Sequence, residues 1–204
     1  DFSNGLNLYP TLTILDAYAL HHEQSVREID DVMDKMLILG ARDMLVTLHR
    51  KPGNHWPLER AQQGFVTGLR ELCRRAALRG ITVHLQAHRD RWVKTTAECA
   101  ALVREVSAPA LRVAVNTGHG AMVGEEPRAA IAAAGDRLGA VVLCAAHRDQ
   151  FGQWYDAHLP LAGRGLDLGA VREVARRNDV LLVLDGDYAA IDEAWADLAE
   201  AGGR

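Results

Sequence analysis

Five apolar runs in this chain have the composition of buried β-strands, and each ends in a polar residue of a kind that binds substrates or metals. The runs are MLVTLH, ITVHLQ, LRVAVN, VVLCAAH and VLLVLD, and they end at His49, Gln86, Asn116, His147 and Asp185. A helical pattern follows each run, which is the order of a parallel β/α fold. Because the carboxyl ends of parallel strands lie at one edge, we expect these five side chains to converge.

Strand and helix patterns alternate to give six βα units. The first strand is predicted at 11–15, and helices are predicted near 26–37, 58–76, 95–106, 127–138, 168–177 and 189–200. The run at 140–147 is nearly all apolar, as expected of a parallel strand that is buried on both faces. The stretch 148–166 is predicted to be a long loop. No linker interrupts the pattern, so 1–204 is predicted to form a single domain.

Local signals support several helix starts. Thr95 and Glu98 have the spacing of a capping box. Pro127 suits the first turn of its helix, and Asp167 suits the capping position of another. These residues make the predicted helix boundaries sharper than the apolar periodicity alone does.

The composition is that of an ordinary globular protein and excludes some partners. Of 204 residues, 49% are hydrophobic and 25% are charged, and the net charge is −4. That charge gives no footprint for nucleic acid, and an aromatic content of 5% argues against base stacking. No apolar run approaches the roughly 18 residues that span a membrane. The sequence as given has no signal peptide, so we expect a cytoplasmic protein with neither nucleic-acid nor membrane partners.

The three cysteines, Cys73, Cys99 and Cys144, have no CxxC spacing. We expect them to be small buried hydrophobic residues in a reducing compartment, without disulfides.

Several short motifs resemble those of the xylose-isomerase-like TIM barrels. Asn116-Thr117-Gly118-His119 and Ala146-His147-Arg148-Asp149 are similar to the DxxH and HxxD signatures of that superfamily. Tyr155-Asp156-Ala157-His158, followed by Gly163-Arg164-Gly165, is similar to its DxH segment and GxG turn. Leu15-Asp16-Ala17-Tyr18 and His49-Arg50-Lys51-Pro52-Gly53 resemble the third and fourth strand ends. The superfamily includes sugar isomerases and epimerases and the zinc-dependent apurinic endonucleases (AP endonuclease family 2).

The resemblance implies an α/β fold, a (β/α) TIM barrel of the xylose-isomerase-like type. In that register the chain runs from strand three to helix eight. The first two βα units of a complete barrel are then expected to be missing from the chain as given.

The resemblance also implies a metal site, with substitutions. In the isomerases and epimerases a Glu, an Asp, a His and a Glu at the strand ends hold the metal, and the matching residues here are Gln86, Asn116, His147 and Asp185. The formal ligand charge falls from −3 to −1, and hard divalent cations prefer anionic oxygen. A divalent metal (Mn, Mg, Co or Zn) is therefore implied by the family but expected to bind weakly or not at all.

By the same resemblance the protein is expected to be a sugar isomerase or epimerase that acts on a small polyhydroxylated or carbonyl substrate by proton transfer. Gln86 cannot serve as a base, since an amide has no useful pKa near neutrality. The candidate catalytic residues are Asp185, His147 and His119. The candidate substrate-binding residues are His49, Gln86, His88, Asn116, Asp149, Asp156 and His158. The partners we expect are the substrate and further copies of the chain in a homo-oligomer.

Three alternatives stay open. The protein can be a non-catalytic subunit that has kept the pocket and lost the metal. It can also be a metal-independent lyase or cyclase that uses the remaining His and Asp residues. A DNA-repair nuclease is the least favoured, because it needs a carboxylate-rich zinc cluster and a basic groove.

Overall fold

Parallel strands and helices alternate in the computed structural model, which describes residues 5–7, 23–48, 57–161, 166–177 and 179–202. The strands are β1 (Gly5–Asn7), β2 (Asp43–Val46), β3 (Thr82–Gln86), β4 (Leu111–Asn116), β5 (Leu138–Leu143), β6 (Ala145–Arg148), β7 (Trp154–Leu159) and β8 (Leu181–Leu184). The helices are α1 (Glu23–Ile38), α2 (Leu58–Leu78), α3 (Thr96–Val106), α4 (Thr117–Met122), α5 (Pro127–Ala134), α6 (Gly169–Val174) and α7 (Ile191–Gly202).

Six of these strands form one parallel sheet in the order β1-β2-β3-β4-β5-β8. The sheet is curled as in a partial barrel. Its register places Gln86 opposite Ala114 and Asn116 opposite Val142. The carboxyl ends of β3, β4, β5 and β8 therefore lie side by side along one edge.

The two faces of the sheet carry different cores. On the outer face, residues such as Val113 and Val115 pack with helix residues such as Met36 and Leu72 in one large apolar cluster. The alternate residues, among them Ala114 and Val142, form a small second cluster on the inner face. This alternation follows from the two-residue period of a strand. The outer core holds the sheet to its helices.

Local sequence signals explain where several helices begin. Thr95 caps α3, since its hydroxyl accepts from the Glu98 N–H while the Glu98 carboxylate accepts from the Thr95 N–H, both at 3.2 Å. Pro127 opens α5. Asp167 accepts the N–H of Gly169 at 2.8 Å, but the N-cap of α6 is Leu168 and no side chain among the described residues caps this helix. The predicted helix starts at Thr95 and Pro127 are confirmed, and the predicted cap at Asp167 is wrong by one residue.

The structure differs from the sequence prediction between β4 and β7. The predicted strand 140–147 ends in the sheet at Leu143, and the chain then enters an antiparallel hairpin formed by β6 and β7. The stretch 148–166, predicted to be a loop, contains β7. Helix α4 was not predicted, and Leu138, assigned to a helix by its spacing, is the first residue of β5.

Several predictions fall outside the described residues, namely the strand at 11–15, the motif at 15–18, the motif at 49–53 with the site residue His49, and the GxG turn at 163–165. All three cysteines are free and buried, as predicted. Burial raises the pKa of both Cys73 and Cys144 to about 12, so these side chains are neutral thiols. Within the described part of the chain, none of the helices combines the length and the apolar character that crossing a bilayer requires.

Candidate functional site

Three histidines and two aspartates meet at the carboxyl edge of the sheet. They are His88, His119, His158, Asp156 and Asp185, and we call them the His–Asp cluster. His88 lies two residues beyond β3, and His119 lies in α4, which follows β4 directly. Asp156 and His158 come from β7, and Asp185 follows β8. The cluster is therefore assembled from four separate segments of the chain.

Asp156 is the centre of this cluster. Its Oδ2 lies 3.2 Å from Nε2 of His88 and 3.3 Å from Nε2 of His119, and its Oδ1 lies 3.3 Å from Nε2 of His158. Burial acts to raise the pKa of Asp156, but the hydrogen bonds from His119 and His88 outweigh it and hold the pKa well below its usual range. Asp156 is therefore a stable carboxylate that orients three imidazole rings.

A second carboxylate, Asp185, extends the cluster through His158. Nδ1 of His158 lies 3.2 Å from Oδ2 of Asp185 and 3.3 Å from its backbone carbonyl. His158 also has a φ of 44°, in the left-handed region that residues with a side chain seldom occupy. Such backbone conformations are often found at functional sites, where the surrounding structure holds them. The result is a continuous Asp185–His158–Asp156 chain.

The rings of His88 and His119, the two most buried in the cluster, each bond the protein backbone through Nδ1 and Asp156 through Nε2. The backbone N–H of Asp90 donates to Nδ1 of His88 at 3.1 Å, so a neutral His88 carries its proton on Nε2, facing Asp156. Nδ1 of His119 lies 3.1 Å from the carbonyl of Ala87, which can only accept. The two rings contact each other edge to face with centroids 4.3 Å apart. Neither ring can turn without breaking a backbone hydrogen bond.

The side-chain amides of Gln86 and Asn116 lie next to the His–Asp cluster. Nδ2 of Asn116 donates to Oε1 of Gln86 at 3.3 Å, and both residues are buried. Oδ1 of Asn116 accepts the N–H of His119 at 2.9 Å and the thiol of Cys144 at 3.3 Å. The Asn116 amide oxygen is therefore used within the protein, and it also caps α4 so that His119 points to Asp156.

The floor of the site is closely packed where α4 crosses the end of β5. The Thr117 hydroxyl donates to the Cys144 carbonyl at 2.6 Å and accepts the Cys144 N–H at 3.1 Å. A Cβ on Gly118 would lie 2.8 Å from Sγ of Cys144, so only glycine fits at that position without a shift. These contacts set the height of α4 above the sheet.

Most of the predicted site residues converge. Gln86 and Asn116 lie at the ends of the neighbouring strands β3 and β4, and Asp185 follows β8, on the other side of β5. His88, His119, Asp156 and His158 contact one another or these residues.

His147 and Asp149 lie apart from the cluster, on the β6–β7 hairpin. His147 is exposed, and its ring contacts that of Tyr155 at 6.1 Å between centroids. It misses the strand edge because β5 ends before Cys144, where Thr117 binds the backbone. Asp149 accepts the N–H groups of Phe151 and Gln153 at 2.9 and 2.8 Å and so forms the hairpin turn. The predicted convergence of His147 with the other strand-end residues is therefore not observed.

Sequence reasoning missed two residues beneath the cluster, Tyr188 and Asp197. The Tyr188 hydroxyl donates to Oδ2 of Asp197 at 2.7 Å. Burial, and then this bond to Asp197, raises the pKa of Tyr188 above its ordinary value. The available signal was an aspartate on the buried side of α7, next to Ala201.

A metal could be held, by distance alone, at His88, His119 and Asp156, whose ligand atoms lie within 4.8 Å of one another. The position of the proton on the His88 ring does not suit a metal ion. A neutral His88 that accepts the Asp90 N–H at Nδ1 has no lone pair on Nε2 for a metal. The family's four positions fit no better, because Asn116 is bonded internally and His147 lies on the hairpin. The residues as arranged do not fit a divalent metal.

The family model described as "Xylose isomerase-like TIM barrel" matches residues 4–199. The chain belongs to this family. The match confirms the predicted fold class, and the superfamily comprises sugar isomerases, epimerases and related enzymes such as dehydratases. Among proteins of curated function, none shows significant sequence similarity to the chain.

Solved structures with the same fold support the family. A probable 3-DHS dehydratase, AsbF, from Bacillus anthracis superposes with a TM-score of 0.72 at 13% identity, over 98% of this chain and 75% of that one. D-psicose 3-epimerase from Clostridium cellulolyticum H10, solved with D-tagatose, has a TM-score of 0.71 at 14% identity over 89% and 70%. The IOLI protein, solved with a zinc atom, has a TM-score of 0.69 at 17% identity over 89% and 70%. At these identities the likeness concerns the fold.

Proposed function

We propose that the protein is an enzyme of the isomerase and epimerase type that moves a proton at the carbon next to a carbonyl group of a small polyhydroxylated substrate. The observation that carries the proposal is the Asp185–His158–Asp156 chain at the carboxyl edge of the sheet, with contacts of 3.2 and 3.3 Å. Catalytic residues of TIM barrels lie at this edge. An epimerase, D-psicose 3-epimerase, shares the fold.

In this proposal Asp185 is the base. Its carboxylate takes a proton from the substrate carbon, and the electron pair moves onto the carbonyl oxygen to give an enediolate. For the epimer, solvent water delivers a proton to the opposite face of the same carbon, and Asp185 then passes its own proton to the hydroxide left behind. For the isomer, Asp185 delivers the proton to the neighbouring carbon while the hydroxyl proton moves from one enediolate oxygen to the other. Either outcome balances without an oxidant or a reductant. His158 keeps Asp185 in place and connects it to Asp156 for proton exchange.

The neutral amides lower the negative charge beside the base. Gln86 and Asn116 stand where the family has carboxylates, and their hydrogen bonds to each other and to His119 hold the His119 ring beside Asp156. A metal would supply polarisation of the carbonyl if one bound. We propose that this protein does not depend on one, because the ligand atoms are used in hydrogen bonds within the cluster.

Exchange of carbon-bound hydrogen with solvent tests the proposal. The purified protein is incubated in D₂O with a panel of ketoses and aldoses, and deuterium incorporation next to the carbonyl is followed by NMR. Asp185→Asn is expected to lower the exchange rate about 10²- to 10⁴-fold, the usual contribution of general acid–base catalysis. Asp136→Asn makes the same change at an exposed position before β5, at the opposite edge, and should leave the rate unchanged. Equal exchange in wild type and Asp185→Asn would contradict the assignment of the base.

Metal dependence is measured separately. Elemental analysis after purification, and exchange before and after treatment with a chelator, should show no stoichiometric Mn, Mg, Co or Zn and no loss of rate. A bound metal, removed together with the activity, would refute metal independence while leaving Asp185 as the base.

A metal-independent lyase is the second candidate. It is favoured by the amide pair of Gln86 and Asn116, which gives the site a neutral floor. A lyase starts with the same proton abstraction but then expels a leaving group, so product analysis by mass spectrometry separates the two. Loss of water from the substrate would favour the lyase, and an isomeric product of unchanged mass would favour the epimerase.

A further inference from the structure

The carboxylate of Asp197 joins the two segments that carry His158 and Asp185. Its Oδ2 accepts the backbone N–H of Leu161 at 2.7 Å and the hydroxyl of Tyr188 at 2.7 Å. Leu161 lies three residues after His158, and Tyr188 lies three residues after Asp185. One oxygen on α7 therefore ties together the chain that follows β7 and the chain that follows β8.

Two further contacts tighten this junction. The N–H of Asp187 donates to the carbonyl of His158 at 2.7 Å, which helps to hold His158 at its φ of 44°. A Cβ on Gly186 would lie 2.4 Å from the Tyr188 ring, so the ring packs directly on the backbone beside Asp185. The segment 185–188 is thus held by β7 on one side and by Tyr188 on the other.

Asp197 is a buried carboxylate, and its hydrogen bonds explain why an aspartate occupies this position. Its side of α7 is turned inward, and only 5% of the residue is exposed. A buried carboxylate is costly unless its oxygens are hydrogen-bonded, and an apolar residue would pack a helix there at lower cost. The two short hydrogen bonds account for an aspartate at this position, and both of them lead to site-bearing segments.

We propose that Asp197 is a positioning residue, which acts through Leu161 and Tyr188 to set the contact between His158 and Asp185. The proposal rests on the function proposed above, in which Asp185 is the base. Oδ2 of Asp197 accepts hydrogen bonds from Leu161 and Tyr188. Its effect is to hold the backbones of the two site residues so that Nδ1 of His158 and Oδ2 of Asp185 lie 3.2 Å apart.

The first test needs no substrate. The ring signals of ¹⁵N-labelled histidine are recorded by NMR for wild type, Asp197→Asn, Tyr188→Phe and Asp192→Asn, with His158 assigned from a His158→Gln variant. Asp192 is exposed on the same helix and makes the matched control. The first two variants are expected to shift the His158 signals. They should leave His84 unchanged, because His84 is bonded to Asp43 near the other edge of the sheet.

The second test is kinetic. Asp197→Asn should lower kcat for solvent exchange by roughly 10- to 100-fold, the loss expected from a misplacement of about 1 Å. KM should change by no more than about twofold, since the substrate contacts remain. In the Asp185→Asn background the same change should cause no further loss, because both variants act on one group.

The two tests separate the possible failures. Unchanged His158 signals in a folded Asp197→Asn protein would overturn the positioning role, whether or not a substrate is known. If Asp197→Asn does not fold, Tyr188→Phe decides, since it keeps the bond to Leu161. If the wild type exchanges none of the sugars, the proposed function fails while the NMR result still decides the positioning. Shifted His158 signals with a wild-type kcat would also overturn the proposal.

Discussion

The fit between Gly118 and Cys144 can be tested by a double-mutant cycle. A Cβ on Gly118 would lie 2.8 Å from Sγ of Cys144, and at 3.4 and 3.5 Å from the backbone O of Cys144 and N of Ala146. The backbone distances are ordinary or nearly so, and only the sulfur is too close. Cys144 is 1% exposed, so the sulfur has no open space to move into. Gly118→Ala should therefore force a shift between α4 and the end of β5.

The magnitude follows from two opposing terms. Overpacking a well-packed core costs about 1–3 kcal/mol. Alanine is favoured over glycine in a helix by about 1 kcal/mol, which offsets part of that cost. We expect Gly118→Ala to lower the free energy of unfolding by roughly 0–2 kcal/mol. In the Cys144→Ala background the sulfur is gone, so the same change should be neutral or stabilising.

Urea unfolding of the four proteins measures the coupling. Its expected value is above about 0.5 kcal/mol, the level at which neighbouring residues are distinguished from independent ones. A coupling near zero would refute the packing argument. Because α4 carries His119, the exchange activity of the double variant should also exceed that of Gly118→Ala alone.

Three further outcomes are expected. Asp156 has a pKa held well below the unfolded value of about 3.9, so its stabilising contribution is present above that pH and is lost as the pH falls below it. Thermal melts should accordingly show that the advantage of wild type over Asp156→Asn shrinks between pH 5 and pH 2, and a constant gap would contradict this. Gly139→Ala should destabilise by about 3 kcal/mol or more in urea unfolding, since its Cβ would lie 2.6 Å from Cβ of Arg112 and 2.7 Å from Nδ1 of His84. Thr95→Ala should cost about 1 kcal/mol by loss of the cap, without changing solvent exchange.

The sequence was sufficient to predict the parallel architecture and most of the site. Apolar runs that end in Gln86, Asn116 and Asp185 identify three strand ends because a buried parallel strand is apolar along its length. The family motifs add His119, Asp156 and His158. Each of these residues lies within a motif of four residues. A motif of that length fixes the position of a side chain relative to its own strand end, so the resemblance is enough to identify it.

The hairpin could not be predicted, and neither could the position of His147. The run VVLCAAH is apolar throughout, and periodicity does not show that the chain leaves the sheet after Leu143. The cause is a hydrogen bond between the Thr117 hydroxyl and the backbone of Cys144, residues 27 positions apart. The tautomer of His88, on which metal binding depends, is set by the backbone N–H of Asp90. Every residue except proline has such an N–H, so the sequence does not reveal this contact.

The β6–β7 hairpin contributes Asp156 and His158 to the site, but its two strands are not part of the six-stranded parallel sheet. Along β7 the side chains alternate, with Asp156 and His158 directed to the cluster and Tyr155 paired with His147 across the ribbon. An insertion or deletion of one residue near the turn at Gly152 would exchange these two sets of side chains and leave every strand of the main sheet in register. The length of this one turn therefore decides whether Asp156 and His158 reach the site, so a change of one residue there should abolish the exchange activity while the main sheet still forms.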